Sequence, residues 1–281
     1  FSIISYLFSF LKIQVLYLGN CYLTNCPSFV FYKKNDIHEV ISNLNCDWFA
    51  VIVPDFLMSI LANKKRYNLF KLEVEEDMEL CVHKNWINLD SYIKDLKSKY
   101  RNRVKVIFEK SKSVKIQQFS IKDIELYSSE LQMLFDEVVV DAKFSGPRFN
   151  IKTFISLVDK QYAHVYGYFL NNNLVAFSSE LHNKNELYAY YVGFNTKINT
   201  SHALYGRILI ETINNAIKLN SSRVVFGRSA SEFKSNFGAK PIKSYIFIGF
   251  KYKFFYYVFM PFLSRISIAS WTQRFPFKTN N

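Results

Sequence analysis

HVYGYFL NNN LVAFSSELH NKN ELYAYYV, His164 to Val192, decides the fold. Its three runs, His164–Leu170, Leu174–His182 and Glu186–Val192, are rich in the aromatic and β-branched residues that strands favour, and turn residues separate them. Asn171-Asn172-Asn173 offers side chains that tolerate the left-handed geometry of a tight hairpin. Asn183-Lys184-Asn185 joins the second pair. The expected product is an antiparallel meander, which excludes a Rossmann sheet.

Downstream, a helix is expected over Ser201–Leu219, apolar at Leu204, Ile208, Leu209, Thr212, Ile213 and Ile217. A strand at Arg223–Phe226 breaks at Gly227, and a short helix opens after Arg228. Ser229 or Ser231 is its expected N-cap, Glu232 lies in its first turn, and Gly238 is the C-cap glycine. A strand feeding charged groups into a helix start is where α/β folds place anionic ligands, so Gly227–Pro241 reads as a working edge. A last strand is expected at Ser244–Phe250. Upstream come a strand at Val114–Phe119 and helices at Asp123–Asp141 and Ile151–Lys160, with a turn at Phe144–Arg148 between the helices.

The first half alternates helices and strands: helix Phe1–Leu11, strands Ile13–Leu18 and Ser28–Tyr32, helix Asp36–Leu44, strand Trp48–Val53, helix Phe56–Asn63 and extended runs Tyr67–Val74 and Glu79–Val82. Lys12 and Gln14 interrupt the apolar opening, which argues against a membrane span, and a chain opening on Phe1 is expected to be a fragment or a trimmed product. Asn88–Lys112 then carries a helical stripe of Tyr92, Ile93, Leu96, Tyr100, Val104 and Ile107. Opposite it lie Lys97, Lys99, Arg101, Arg103 and Lys105. Such a face is either solvated or made for an anion.

Lysine and arginine (36) outnumber aspartate and glutamate (23), giving a formal net charge of +13 that suits nucleic acid, an anionic membrane or a phosphate-bearing ligand. A dispersed solubilising surface is the competing reading. The apolar share of 49% excludes wholesale disorder. Cys21, Cys26, Cys46 and Cys81 lack zinc-site spacing and read as buried thiols of a cytoplasmic protein; His38, His83 and His164 are isolated, so no metal is expected.

This order of elements, with Tyr190-Tyr191-Val192-Gly193-Phe194, Leu204-Tyr205, Ile208-Leu209, Phe226-Gly227-Arg228, Glu232, Lys234, Gly238-Ala239 and Pro241, resembles the acyltransferase domain of the GNAT superfamily. Tyr92, Leu96, Lys99, Tyr100, Arg101–Arg103 and the ending Trp271, Arg274, Pro276, Phe277, Lys278 are similar to its Fem-like, peptidoglycan-biosynthesis branch, in which two such domains sit in tandem. The resemblance implies an α/β (α+β) protein of two GNAT-like domains, residues 1–112 and 113–281, each a mixed, largely antiparallel sheet flanked by helices. It implies an N-acyltransferase that moves an acyl group from acyl-CoA, or an aminoacyl group from aminoacyl-tRNA, to an amine, with a link to the cell envelope and no metal. The alternative is a degenerate GNAT fold that binds an anionic ligand without chemistry.

The chain departs from the superfamily at its pyrophosphate turn, Arg/Gln-x-x-Gly-x-Gly/Ala, where it has Asn199-Thr200-Ser201-His202-Ala203-Leu204-Tyr205-Gly206-Arg207. Ser201, His202, Ala203, Tyr205 and Gly206 are the donor-binding candidates there, because a helix start can present N–H groups to phosphate without glycines. Glu232 and Glu180 are the candidate proton acceptors, against their plainer readings as a capping residue and an outward strand residue. Arg228 and Lys234 are candidate ligands for a substrate phosphate or carboxylate, with Tyr191 beside the substrate; alanine at Arg228 or Lys234 is expected to abolish transfer without unfolding the protein. Residues 250–268 are aromatic, bordered by Lys251, Lys253 and Arg265 and interrupted by Pro261. They fit a peripheral membrane contact or packing across the domains.

Overall fold

The computed structural model describes residues 14–20, 23, 47–54, 69–141 and 148–278. Its strands are β1 (Val15–Tyr17), β2 (Ala50–Pro54), β3 (Phe70–Cys81), β4 (Lys115–Gln118), β5 (Ala163–Leu170), β6 (Asn173–Asn183), β7 (Glu186–Phe194), β8 (Arg223–Gly227) and β9 (Lys240–Phe250). Its helices are α1 (Leu89–Asp95), α2 (Ser98–Lys110), α3 (Ile121–Leu126), α4 (Ser128–Asp141), α5 (Thr153–Asp159), α6 (Thr196–His202), α7 (Leu204–Lys218), α8 (Ser231–Ser235) and α9 (Lys253–Leu263). The helices expected at 1–11, 36–44 and 56–63 and the strand at 28–32 lie outside the described residues.

Two compact units result, Phe1–Glu75 with Lys243–Ser270 and Glu76–Ile242 with Trp271–Asn281. Neither coincides with a contiguous half of the chain. In the first unit β1 runs parallel to β2, and β2 pairs antiparallel with β9. Val51 and Val53 of β2 are fully buried, as the apolar run predicts.

The second unit is a mixed sheet in the order β3-β8-β7-β6-β5-β4, with the C-terminal end of β3 contributing. The expected meander is present, β5, β6 and β7 being antiparallel. Its first connection uses left-handed Asn171 (φ 48°) and Asn172 (φ 63°), but in the second it is Lys184 that turns left-handed (φ 53°). β7 and β8 are parallel, joined by α6 and α7. Their register covers Glu186↔Arg223 to Tyr188↔Val225, while β7 runs on to Phe194, so the two strands part beyond Tyr188. The β6–β7 register slips between Ser178 and Glu180, and Ser179 Oγ fills the irregularity by donating to Tyr191 O (2.8 Å) and accepting from Tyr191 N (2.9 Å).

Every apolar residue of the stripe expected on Ser201–Leu219 is buried, together with Ile210 and Ala216. Leu209, Ile210, Ile213, Ala216 and Ile217 pack with Met78, Leu80, Leu187, Val224 and Phe226, each large aliphatic contributing about 1.5–3 kcal/mol of burial. The helix itself is two helices, because Ala203 is left-handed (φ 49°, ψ 41°). The basic stretch is also broken: Leu96 leaves the helix with extended geometry and forms a β-bridge to Phe277. Asp123–Asp141 splits into α3, capped reciprocally by Ser120 and Asp123, and α4. Gly227–Pro241 is not at a sheet edge, since β8 lies between β7 and β3.

The chain's ending locks this unit. Lys97 N donates to Pro276 O (2.7 Å) and Lys278 N to Asp95 O (3.0 Å). The Phe277 ring lies 5.3 Å from Trp86 and 6.1 Å from Tyr92, and Tyr92 Oη donates to Phe237 O at 2.9 Å. Gly238 is required twice over, by its φ of 96° and because a Cβ there would come within 2.2 Å of the Phe277 ring.

Candidate functional site: a cationic cavity at a helix start

Where α2 meets the start of α7, a cavity of about 560 Å³ opens in the second unit, within the roughly 300–1,000 Å³ usual for small-molecule sites. Lys99, Arg103 and Lys110 of α2 line it, as do Asn199, Thr200, Ala203, Tyr205 and Gly206 around the start of α7, together with Phe233. None of the lining residues is an aspartate, glutamate or histidine.

The sequence builds this place through the break at Ala203. Asn195 caps α6 by accepting from Lys197 N and Ile198 N, and α6 ends after two turns. Ala203 then starts α7 without a capping side chain, although Asn199 Oδ1 reaches over to accept from Tyr205 N at 3.0 Å. Ala203, Tyr205 and Gly206 thus bring the start of a 15-residue helix, the positive end of its dipole, to the cavity wall, with Tyr205 N taken up by Asn199. Lys110 Nζ donates to Thr200 O (3.0 Å), tying the end of α2 to the last turn of α6. Gly206 lets the helices touch: a Cβ there would lie 2.9 Å from Ile107 Cδ1. Arg207 fixes the same contact by bonding Ser111 Oγ (3.1 Å) and Glu211 (2.7 Å) and lying over the Phe108 ring. Tyr205 stacks on Phe233 (5.4 Å) and lies 5.6 Å from Phe194, at the end of β7 where the strands part. Burial holds its phenol protonated.

Of the donor-binding candidates, Ala203, Tyr205 and Gly206 line this cavity. Ser201 Oγ donates to Ile198 O and lies 2.9 Å from His202 Nδ1, and neither residue is in the lining. The sequence singled out Lys99 and Arg103 as part of a basic face and Lys110 not at all. A basic helix read together with an interrupted helix start was the available signal.

The remaining candidates are elsewhere. Lys234 is only 3% exposed, and its ammonium donates to the carbonyls of Phe226 (2.9 Å), Gly227 (3.1 Å) and Arg228 (2.7 Å). It closes the turn after β8, where Gly227 (φ 70°), Ser229 (φ 66°) and Ala230 (φ 50°) are all left-handed; the N-cap of α8 is Ala230 rather than either serine. Arg228 Nε lies 3.8 Å from Asp77 Oδ2, a carboxylate fully buried. Glu232 is half-buried and ion-paired with Arg274, which holds its carboxyl below the usual range, with Arg103 adding to the effect. Tyr191 packs its ring 4.4 Å from Phe149 and 5.2 Å from Phe135.

Glu180 points inward, contrary to an outward strand position, and is 2% exposed. Both its oxygens are 3.1 Å from Asn215 Nδ2. Burial raises its pKa to about 7, Asn215 and Thr212 oppose the shift, and Glu211 adds to it. Glu180 is not among the residues that line the cavity. Among the described residues no three His, Cys, Asp or Glu side chains gather as a metal site needs.

A meander, a two-helix crossover, strands that part after three register pairs and an anion-suited helix start define a GNAT-like fold. Among solved structures, the chain is similar to a conserved protein of unknown function from Bacteroides thetaiotaomicron, at 11% identity, with 75% of this chain and 73% of that one covered and a TM-score of 0.52. It is equally similar to the C-terminal domain of a putative lysylphosphatidylglycerol synthetase from Agrobacterium fabrum, at 13% identity, covering 75% and 70%, with a TM-score of 0.52. FemX aligns over 75% of this chain and 74% of its own at 10% identity, with a TM-score of 0.49. No known protein-family profile and no curated protein sequence matches the chain.

Proposed function

We propose that this protein is an acyl- or aminoacyltransferase that holds its donor by phosphate groups at the start of α7 and passes the acyl group to an amine near the parting of β7 and β8. One observation carries the reading: three cations and a helix N-terminus converge on a cavity whose lining contains no carboxylate. An acyl-CoA brings a pyrophosphate to such a place, and aminoacyl-tRNA a sugar-phosphate backbone. The net charge of +13 would speed the approach of either. Tyr205 connects the cavity to Phe194, so a donor anchored by phosphate has its acyl end directed toward the strand gap. The Fem-like resemblance extends the proposal to an envelope-related amine acceptor, met at the cytoplasmic side.

In this reading Lys99, Arg103 and Lys110 neutralise the donor's phosphates, and Asn199 and Gly206 keep the helix start and α2 in register. Positioning donor and acceptor together supplies a large part of the rate in such transfers. A proton acceptor must serve the amine. Glu180 has a suitable pKa but does not line the cavity, and Glu232 is ionised beside Arg274.

A second reading is favoured by one specific observation, the lack of Asp, Glu or His in the cavity lining: a GNAT-like protein that binds a phosphate-bearing ligand without chemistry. Calorimetric titration with acetyl-CoA and with charged tRNA, followed by mass spectrometry of amine acceptors, separates the two. Donor binding with an acylated product supports the transferase, donor binding with no product across acceptors supports the binder, and no binding of either donor removes both.

A further inference from the structure

We propose that α9 is a membrane-surface anchor, laying its outer face into the headgroup region of a bilayer that contains anionic lipid. The observation behind this is a helix with two apolar faces, of which one is used. Phe255 and Phe259 turn inward, with ring centroids 4.7 Å and 6.1 Å from Phe49, and Phe259 stacks on Phe250 at 5.3 Å. That aromatic cluster fixes α9 to the strand ends of its own unit. Phe254, Tyr257, Val258 and Pro261 follow the spacing i, i+3, i+4, i+7 and so share the opposite face, with Phe262 at its edge and Arg265 just past the end of the helix.

This opposite face is exposed: Phe254 by 70%, Tyr257 by 58% and Phe262 by 58%, with Tyr252 and Ile266 exposed just beyond its two ends. No residue of α9 is buried. Phenylalanine and tyrosine at a helix surface suit the boundary between acyl chains and headgroups, where a phenol keeps its hydroxyl wet. An eleven-residue helix is about 16 Å long, against a hydrocarbon core of about 30 Å. Among the described residues no helix is long and apolar enough to cross a membrane, so this one lies on the surface.

Charge selects the occupant. Lys253 and Arg265 flank the exposed rings and form no ion pair among the described residues, whereas Lys251 is paired with Asp47. No aspartate or glutamate follows Glu232 in the sequence, so every charged side chain after it is positive. A protein partner made for the rings alone would not need that bias, and an anionic lipid surface does.

The test is co-sedimentation of the full chain with vesicles of phosphatidylcholine alone or mixed with phosphatidylglycerol, at low and high salt. The full chain is expected to sediment with the mixed vesicles and to be released by salt. Phe254→Ser with Phe262→Ser is expected to weaken binding about tenfold, from the apolar area withdrawn from the interface. Lys253→Glu with Arg265→Glu is expected to abolish the preference for phosphatidylglycerol. The outer side chains are exposed, so both variants should melt near the parent temperature. The proposal is overturned if the parent stays in the supernatant with mixed vesicles, or if both variants bind like the parent. It is also overturned if sedimentation velocity shows a dimer that Phe254→Ser with Phe262→Ser dissociates, which would assign the face to a second copy.

Discussion

Lys234 Nζ lies 2.9 Å from the carbonyl oxygen of Phe226, and the same ammonium serves Gly227 and Arg228. A cation that reads from the sequence as a substrate ligand is thus a fastener for three successive carbonyls at the end of a central strand. Lys234→Met keeps the length of the side chain and removes the donors. One buried and two part-buried acceptors then lose their donor, and the expected loss is about 1–3 kcal/mol of stability, read as a lower urea midpoint. An unchanged midpoint would mean that these three bonds contribute nothing to stability.

Glu180 makes stability depend on pH. Its folded pKa of about 7 lies above the ordinary 4.5, so the folded state holds a proton that the unfolded state has released at intermediate pH. Its favourable contribution is complete below about pH 4.5 and is lost as pH rises to about 7, an amount on the order of 3 kcal/mol for a buried group. Glu180→Gln, which cannot ionise, is expected to flatten this part of the stability–pH curve and to be at least as stable as the parent near pH 8. Chemical denaturation across that range measures it; a curve that keeps the parent's slope would assign the dependence to other groups.

Gly206 tests the contact on which the cavity depends. Gly206→Val forces β-branched volume against Ile107 and is expected to cost about 1–3 kcal/mol and to push α2 from α7, weakening anion binding. Gly206→Ala combined with Ile107→Val should recover most of the stability that Gly206→Ala alone loses. Thermal melts of the four proteins form the cycle, and additive losses would mean that the two residues do not meet.

The meander was legible because each strand is a run of strand-forming residues bounded by asparagines, and the α7 stripe because its six named positions recur at helical spacing, and all six are buried. The helix breaks were not. Ala203 in left-handed geometry has no local sequence signal, since alanine favours helices; around it Asn199 bonds the start of α7 and Thr200 bonds the end of α2, contacts that are tertiary for the second and invisible to helix propensity for both. Leu96 leaves the basic helix to pair with Phe277, a residue far along the chain that no local window contains.

The resemblance residues divided in the same way. Tyr92, Leu96, Gly238 and Phe277 converge on one another as scaffold, which no reading by sequence spacing could reveal. Lys99 and Arg103 reach the cavity because α2 crosses the start of α7, a tertiary fact. Glu180 was assigned from position in a strand, and its partner Asn215 became visible only with the helix packed above it.

The central claim is that the α7 start and the cations of α2 form a phosphate site. Calorimetric titration of coenzyme A into the full chain and into Lys99→Glu with Arg103→Glu tests it most directly, with melting temperature as the control for folding. The parent is expected to bind with an affinity that falls as salt rises, and the double variant to bind at least about tenfold more weakly at an unchanged melting temperature. Equal binding by a folded double variant, or no binding of coenzyme A, inorganic pyrophosphate or tRNA by the parent, would contradict it.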